Sequence, residues 1–197
     1  MELLAQFFTA SMIAILVENL VLSRGLGTST VLFSARGAKP IFMFGSLLTL
    51  MTILSSAAAF GVNLLVGSLP IKIYVRPIAF ILAMTVAYYI VYLTLGRFMK
   101  STGEYVRRYL GYATFNCAVL GAVYLAVNGK YDLVQTIGFG LGAGIGFTLA
   151  SLLIAEGRRR VEMAAVPKAF KGLPVTLLYI GILSLAFFGL IGHQLPF

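Results

Sequence analysis

The sequence predicts an all-α membrane protein of six transmembrane helices, arranged as two inverted three-helix repeats with broken or short helices in spans one and four. Three observations carry that expectation. The 197 residues are 60% hydrophobic and only 11% charged, against roughly 25% charged in an ordinary soluble domain. The apolar residues gather in stretches near the ~20 residues that cross a bilayer, and a helix satisfies its own backbone there. The basic residues, finally, alternate in number from loop to loop.

Taken in order, the first span covers Leu3–Leu22 with an apolar tail to Phe33. The second is Ile41–Val66, the third Ile78–Met99, the fourth Tyr112–Val127, the fifth Leu133–Glu156 and the sixth Pro174–Ile191. Pro40, Pro77 and Pro174 are each expected at a helix start, where a missing N–H costs least. Met1–Leu22 lacks a basic n-region and a small-residue cleavage site, so it reads as a retained span.

The loops after spans one, three and five carry Arg24, Arg36 and Lys39; then Arg97, Lys100, Arg107 and Arg108; then Arg158, Arg159, Arg160, Lys168 and Lys171. The opposite side carries Lys72, Arg76 and Lys130. The positive-inside rule turns this split of twelve against three into a topology, with the basic face in the cytoplasm and both termini outside the cytoplasmic membrane. The net charge of +9 is thereby read as orientation and headgroup anchoring. Nucleic acid is not expected as a partner, because no stacking platform or basic fold accompanies the charge.

The chain is read as one integral membrane domain, 1–197, with repeat one over about 1–99 and repeat two over about 100–197. Three spans per half is odd, so the halves face opposite ways. Such repeats place sites near the midplane, at broken helices in matching positions. The matching stretches are "ENLVLSRGLG" in span one and "FNCAVLGA" in span four. Leu3–Phe33 is too long for one crossing, and Arg24, Gly25 and Gly27 interrupt it, which favours a break followed by a second short helix. Tyr112–Val127 is short for a crossing, with Gly111 and Gly121 flanking its polar centre.

Glu18 is the one acid well inside a span. A central carboxylate costs roughly 2.5–3.5 kcal/mol on insertion scales, so it should face protein, water or a cation. It is a candidate cation or proton site, or a structural partner for Arg24 six residues on. Asn19 and Asn116 either tie a broken helix to its neighbour or contact a cofactor or ion. The glycines at 138, 140, 142, 144 and 146 have no preceding strand, so they are no dinucleotide fingerprint; their four-residue spacing suits close helix packing. Tyr88, Tyr89 and Tyr92 fit interfacial belts and packing. His193 alone makes no metal site, and no Ser/His/acid set supports hydrolysis. One cysteine, Cys117, rules out a disulfide within the chain and argues against a zinc or complete iron–sulfur site in it.

The stretches "VENLVLSRGLG" (17–27), "NCAVLG" (116–121) and "AAVPKAFKGLPVTLLYIGILSLAFFG" (164–189) resemble the RnfA/NqrE family, integral membrane subunits of the Rnf and Nqr ion-translocating electron transport complexes. The resemblance covers nearly the whole chain. It implies a pair of homologous subunits in opposite orientations, each giving two cysteines to a 2Fe–2S cluster held between them. It implies electron transfer between ferredoxin or NADH and another carrier, coupled to Na⁺ or H⁺ transport. One family cysteine matches Cys117. The other lies in a G-L-C pattern that falls here on Gly27-Thr28-Ser29, so Ser29 stands at its position. A serine oxygen is a harder and less acidic ligand than thiolate. Three readings stay open: Ser29 ligates iron as alkoxide, the cluster has three cysteines and an external or partner ligand, or no cluster binds and Cys117 is a small buried residue. Gly111 replaces the family's proline before "N-C" and is expected to preserve the helix break. The resulting expectation is an electron-relay subunit; the alternatives are an ion or small-solute transporter, or a non-redox scaffold, on the same fold.

Overall fold

A computed structural model describes residues 1–34, 38–67, 71–98, 103–163, 167 and 170–191. Among these the regular structure is helical: α1 (Glu2–Met12), a π-helical turn (Ile13–Val17), α2 (Thr28–Ser34), α3 (Ala38–Val66), α4 (Lys72–Phe98), α5 (Gly103–Thr114), α6 (Cys117–Asn128), α7 (Leu133–Met163) and α8 (Leu173–Ile191). Arg36, Lys100, Lys168 and His193, singled out above, lie outside the described residues.

Among the described residues three helices, α3, α4 and α7, are long and apolar enough to cross a membrane. The pair Val106–Thr114 and Cys117–Asn128, bent by 48°, makes a fourth if it counts as one span. Glu2–Val17 and Leu173–Gly189 are shorter apolar helices.

The centre is α7, packed against α1, α3, α6 and α8. Its glycines decide this. A Cβ on Gly138 would stand 2.6 Å from the Phe7 carbonyl oxygen of α1, and one on Gly142 would collide with the Ser11 backbone. Gly146 faces Ile15 and Asn19, while Gly140 and Gly144 face Ile53 and Thr49 of α3. One four-spaced row therefore seats α1 and the chain just after it, and the other seats α3, as expected for close packing in lipid. The glycine carbonyls also accept side-chain hydrogen bonds: Ser11 Oγ donates to Gly138 O (2.8 Å) and Thr52 Oγ1 to Gly140 O (2.7 Å). Phe139, Phe147 and Ile154 fill the core beside them. The outer face of α4 is bare and apolar, with Ile78, Leu82, Val86 and Leu93 exposed, the signature of a lipid-facing surface.

Several expectations change. The first helix leaves α geometry at Ile13 and ends at Val17, five residues before Leu22, because Asn19 captures backbone amides that a continuing helix would need. The expected span Tyr112–Val127 is two helices broken at Phe115–Asn116. Gly111 does not make that break: it lies inside α5, with open space beside it, and Gly121 lies inside α6 against Leu26. Pro77 sits inside α4, which starts at Lys72. Arg107 and Arg108 belong to α5, and Arg158, Arg159 and Arg160 continue α7 as helix. There the Glu156–Arg160 pair, at 3.1 Å, gives the i,i+4 support that extends a helix beyond its apolar part.

Candidate functional site

Two chain breaks meet at one place. In the first, residues 18–27, Asn19 is buried. Its Oδ1 accepts from the amides of Val21 (3.1 Å) and Leu22 (3.0 Å), and its Nδ2 donates to Ile15 O (2.8 Å) and to Gly146 O of α7 (3.2 Å). One side chain thus folds the turn and pins it to the central helix. Gly25 and Gly27 take the positive φ values +69° and +78° that let the chain re-enter helix at Thr28.

The second break places Asn116, 7% exposed, at the N-cap of α6. Its Oδ1 accepts from Ala118 N at 3.1 Å, the amide two residues on, as at Asn19. Its Nδ2 is buried and has no hydrogen-bond partner among the described residues. Cys117 follows as the first residue of α6.

The breaks are joined by a backbone donor. Gly27 N–H points at Cys117 Sγ, 3.1 Å away and 90 residues distant in sequence. The approach is tight: a Cβ on Gly27 would stand 2.8 Å from the Phe147 ring and 3.0 Å from Ala118 Cβ. Leu26 packs on Gly121 from the same loop. Cys117 and Ser29 are both exposed at the chain's surface. That overturns the reading of Cys117 as a small buried residue. Its neighbours Asn116 and Ala118 are buried, and the turn into α6 directs the residue between them outward.

Glu18 ends the first helical stretch. Arg24 closes on its carboxylate with two donors, Nε to Oε2 at 2.6 Å and Nη2 to Oε1 at 2.8 Å. Both oxygens are therefore engaged across the break. Its charge is felt at the turn before α7, where burial and then Glu18 raise the Tyr131 phenol above its ordinary value. On the other flank an aromatic row leads away from the second break. Phe115 tilts against Tyr88 (5.4 Å), Tyr88 stacks on Tyr92 (5.8 Å), and the Arg107 guanidinium carbon lies 4.6 Å over Tyr92.

A model of the family described as "Rnf-Nqr subunit, membrane protein" matches residues 7–193. The chain belongs to this family. It is 36% identical to a component of the Na(+)-translocating ferredoxin:NAD(+) oxidoreductase complex of Acetobacterium woodii, over 92% of this chain and 95% of that protein. It is 34% identical to the corresponding component of the ion-translocating oxidoreductase complex of Syntrophotalea carbinolica (91% and 93% covered), and 32% identical to that of one Vibrio cholerae strain (90% and 92%).

As an Rnf–Nqr subunit, the chain brings Cys117 against the Gly27 amide just before α2, which carries Ser29, while Asn19 folds the start of the same break and ties it to α7. It leaves Glu18 on the Arg24 side. Among the described residues no three His, Cys, Asp or Glu side chains converge as a metal site, and the sequence holds one cysteine. The donor set fits an iron cluster only as a partial half: one sulfur, supported by an amide N–H, with a hydroxyl two residues beyond that amide. Hydrogen bonds to ligand sulfurs are among the groups that tune iron–sulfur centres. Nothing in the sequence warns of the Gly27 amide as a donor, because a contact across 90 residues has no local signature.

Proposed function

We propose that this chain is the RnfA-type membrane component of an Rnf/Nqr-type ion-translocating electron transport complex, linked to ferredoxin or NADH. In this reading α1 with α2, and α5 with α6, are the broken first and fourth of six spans. They belong to two inverted halves within one domain, and both termini lie outside the cytoplasmic membrane. The surface bearing Cys117 and Ser29 is this chain's half of an electron-relay site shared with an oppositely oriented homologue. The observation that carries the reading is the Gly27 N–H aimed at an exposed Cys117 sulfur where two helix breaks cross. A cysteine used only for packing needs neither exposure nor an amide donor.

A 2Fe–2S cluster at such a site supplies one-electron transfer inside the membrane. This chain's residues then have distinct tasks. Cys117 Sγ presents the sulfur, and Gly27 N–H stabilises negative charge on it. Asn116 fixes the start of α6 and so the direction of the Cys117 side chain. Ser29 offers a hydroxyl where the family has its second thiol. Lacking that thiol, the chain holds its half by one sulfur.

Iron, acid-labile sulfide and the visible spectrum of the intact complex test the proposal. Cys117→Ala should remove the cluster signal, and Ser29→Cys should strengthen it. An iron-free wild-type complex that keeps electron transfer after Cys117→Ala would rule out the relay.

A further inference from the structure

The corner between α7 and α8 holds a cavity that the relay site does not use. Its volume is about 200 Å³, and its lining is Arg158 and Val161 of α7, Lys171 and Gly172 before α8, and Val175 and Thr176 in the first turn of α8. Among the described residues, two cations and no acid line it. The space is of the order of a phosphate with its ester arms, too small for a whole lipid.

The corner is held in fixed geometry. Arg158 Nη1 donates to Leu32 O at 2.8 Å, anchoring the guanidinium at the end of α2 and leaving further N–H groups as donors. Tyr179, three residues after Thr176, sits in a notch that exists because residue 157 has no side chain. That contact locks α8 against α7 directly beside Arg158. Gly172, with φ +90°, has no described atom within 4 Å of where a Cβ would stand. The first-turn amides of α8 add positive potential there, although Pro174 contributes no N–H.

The chemistry around the cavity is that of a bilayer interface. Ile154, one turn before Arg158, is fully buried, and the basic run begins where the apolar part of α7 ends. Leu173 and Leu177, beside the cavity residues on α8, are exposed and apolar. A free anion would make no use of them, whereas an acyl chain would. Basic pockets between transmembrane helices on the cytoplasmic side suit anionic lipid headgroups.

We propose that this corner binds the phosphate of an anionic membrane lipid, with Arg158 and Lys171 as its cations and the acyl chains lying along Leu173 and Leu177. The test uses the intact complex in phosphatidylcholine nanodiscs containing photoreactive phosphatidylglycerol, with crosslinks mapped to the peptide spanning 173–177. Lys171 is exposed, so Lys171→Gln should fold normally. It should lower the crosslink yield about fivefold, the effect of one interfacial cation, and Lys171→Arg should restore it. Arg159→Gln, outside the cavity, should change nothing. An equal loss in Arg159→Gln would mean diffuse surface charge and would overturn the site. Equal labelling by photoreactive phosphatidylcholine would overturn the need for an anion. Displacement by inorganic phosphate, but not by chloride at matched ionic strength, would make the free ion the ligand and overturn the lipid.

Discussion

Gly27 and Gly25 share a turn and a left-handed conformation, yet they should respond differently to the same substitution. A Cβ on Gly25 meets nothing within 4 Å, whereas one on Gly27 meets the Phe147 ring and Ala118. Gly25→Ala should therefore cost only the backbone term, about 1–2 kcal/mol. Gly27→Ala adds overpacking of about 1–3 kcal/mol and displaces the amide from Cys117. Denaturant unfolding of the solubilised complex would rank the two; equal costs would mean that the Gly27 contact with Phe147 is slack. Glu18 sharpens a second question of the same scale. Its carboxylate is bound at both oxygens by a half-exposed Arg24, and such pairs contribute about 0–1 kcal/mol. Glu18→Gln keeps an acceptor for Arg24, so it should leave assembly and ion-coupled turnover near wild type. Loss of turnover in an assembled variant would instead make the carboxylate an ion ligand.

At the scale of elements, α7 explains why the breaks cross where they do. Its glycine row at 138, 142 and 146 draws α1 in until backbone touches backbone, and Gly146 O then takes the Asn19 amide. Gly142→Ala should separate α1 from α7 and cost several times more than Gly181→Ala on α8, where a Cβ meets open space. Gly181→Ala should be neutral or stabilising by up to about 1 kcal/mol through helix propensity. Thermal unfolding of both variants would check this, and similar midpoints would show that the row is not a tight seam. The stripe and the two long helices α3 and α7 were legible in the sequence because composition and four-residue spacing are local signals. The start of the first break was not. A sequence marks Gly25 and Gly27, but the turn begins at Glu18 because Asn19 binds amides two and three residues ahead and a carbonyl 127 residues away. Gly111 misled for the opposite reason: a glycine tolerates a break without requiring one, and here Asn116 makes it.

For the whole molecule the open question is orientation, and the charges bear on it directly. Arg158, Arg159 and Arg160 extend α7 beyond its apolar stretch, while Lys130 stands at the turn between α6 and α7, at the other end of that helix. The two ends of α7 thus carry unequal positive charge, three arginines against one lysine. Since lysine and arginine near span ends are retained in the cytoplasm, the arginine end should face inward and the Lys130 turn outward. On a Cys117→Ser background the chain has no native thiol, so a single introduced cysteine reports its own side. Both reporters are exposed positions, which removes burial as a cause of failed labelling. Lys130→Cys should react with an impermeant thiol reagent in intact cells, and Arg159→Cys should react only after the membrane is opened. The reverse pattern would turn the chain over. With it would go the assignment of the Arg158–Lys171 corner to the cytoplasmic leaflet, where anionic lipid supplies the stronger negative surface potential.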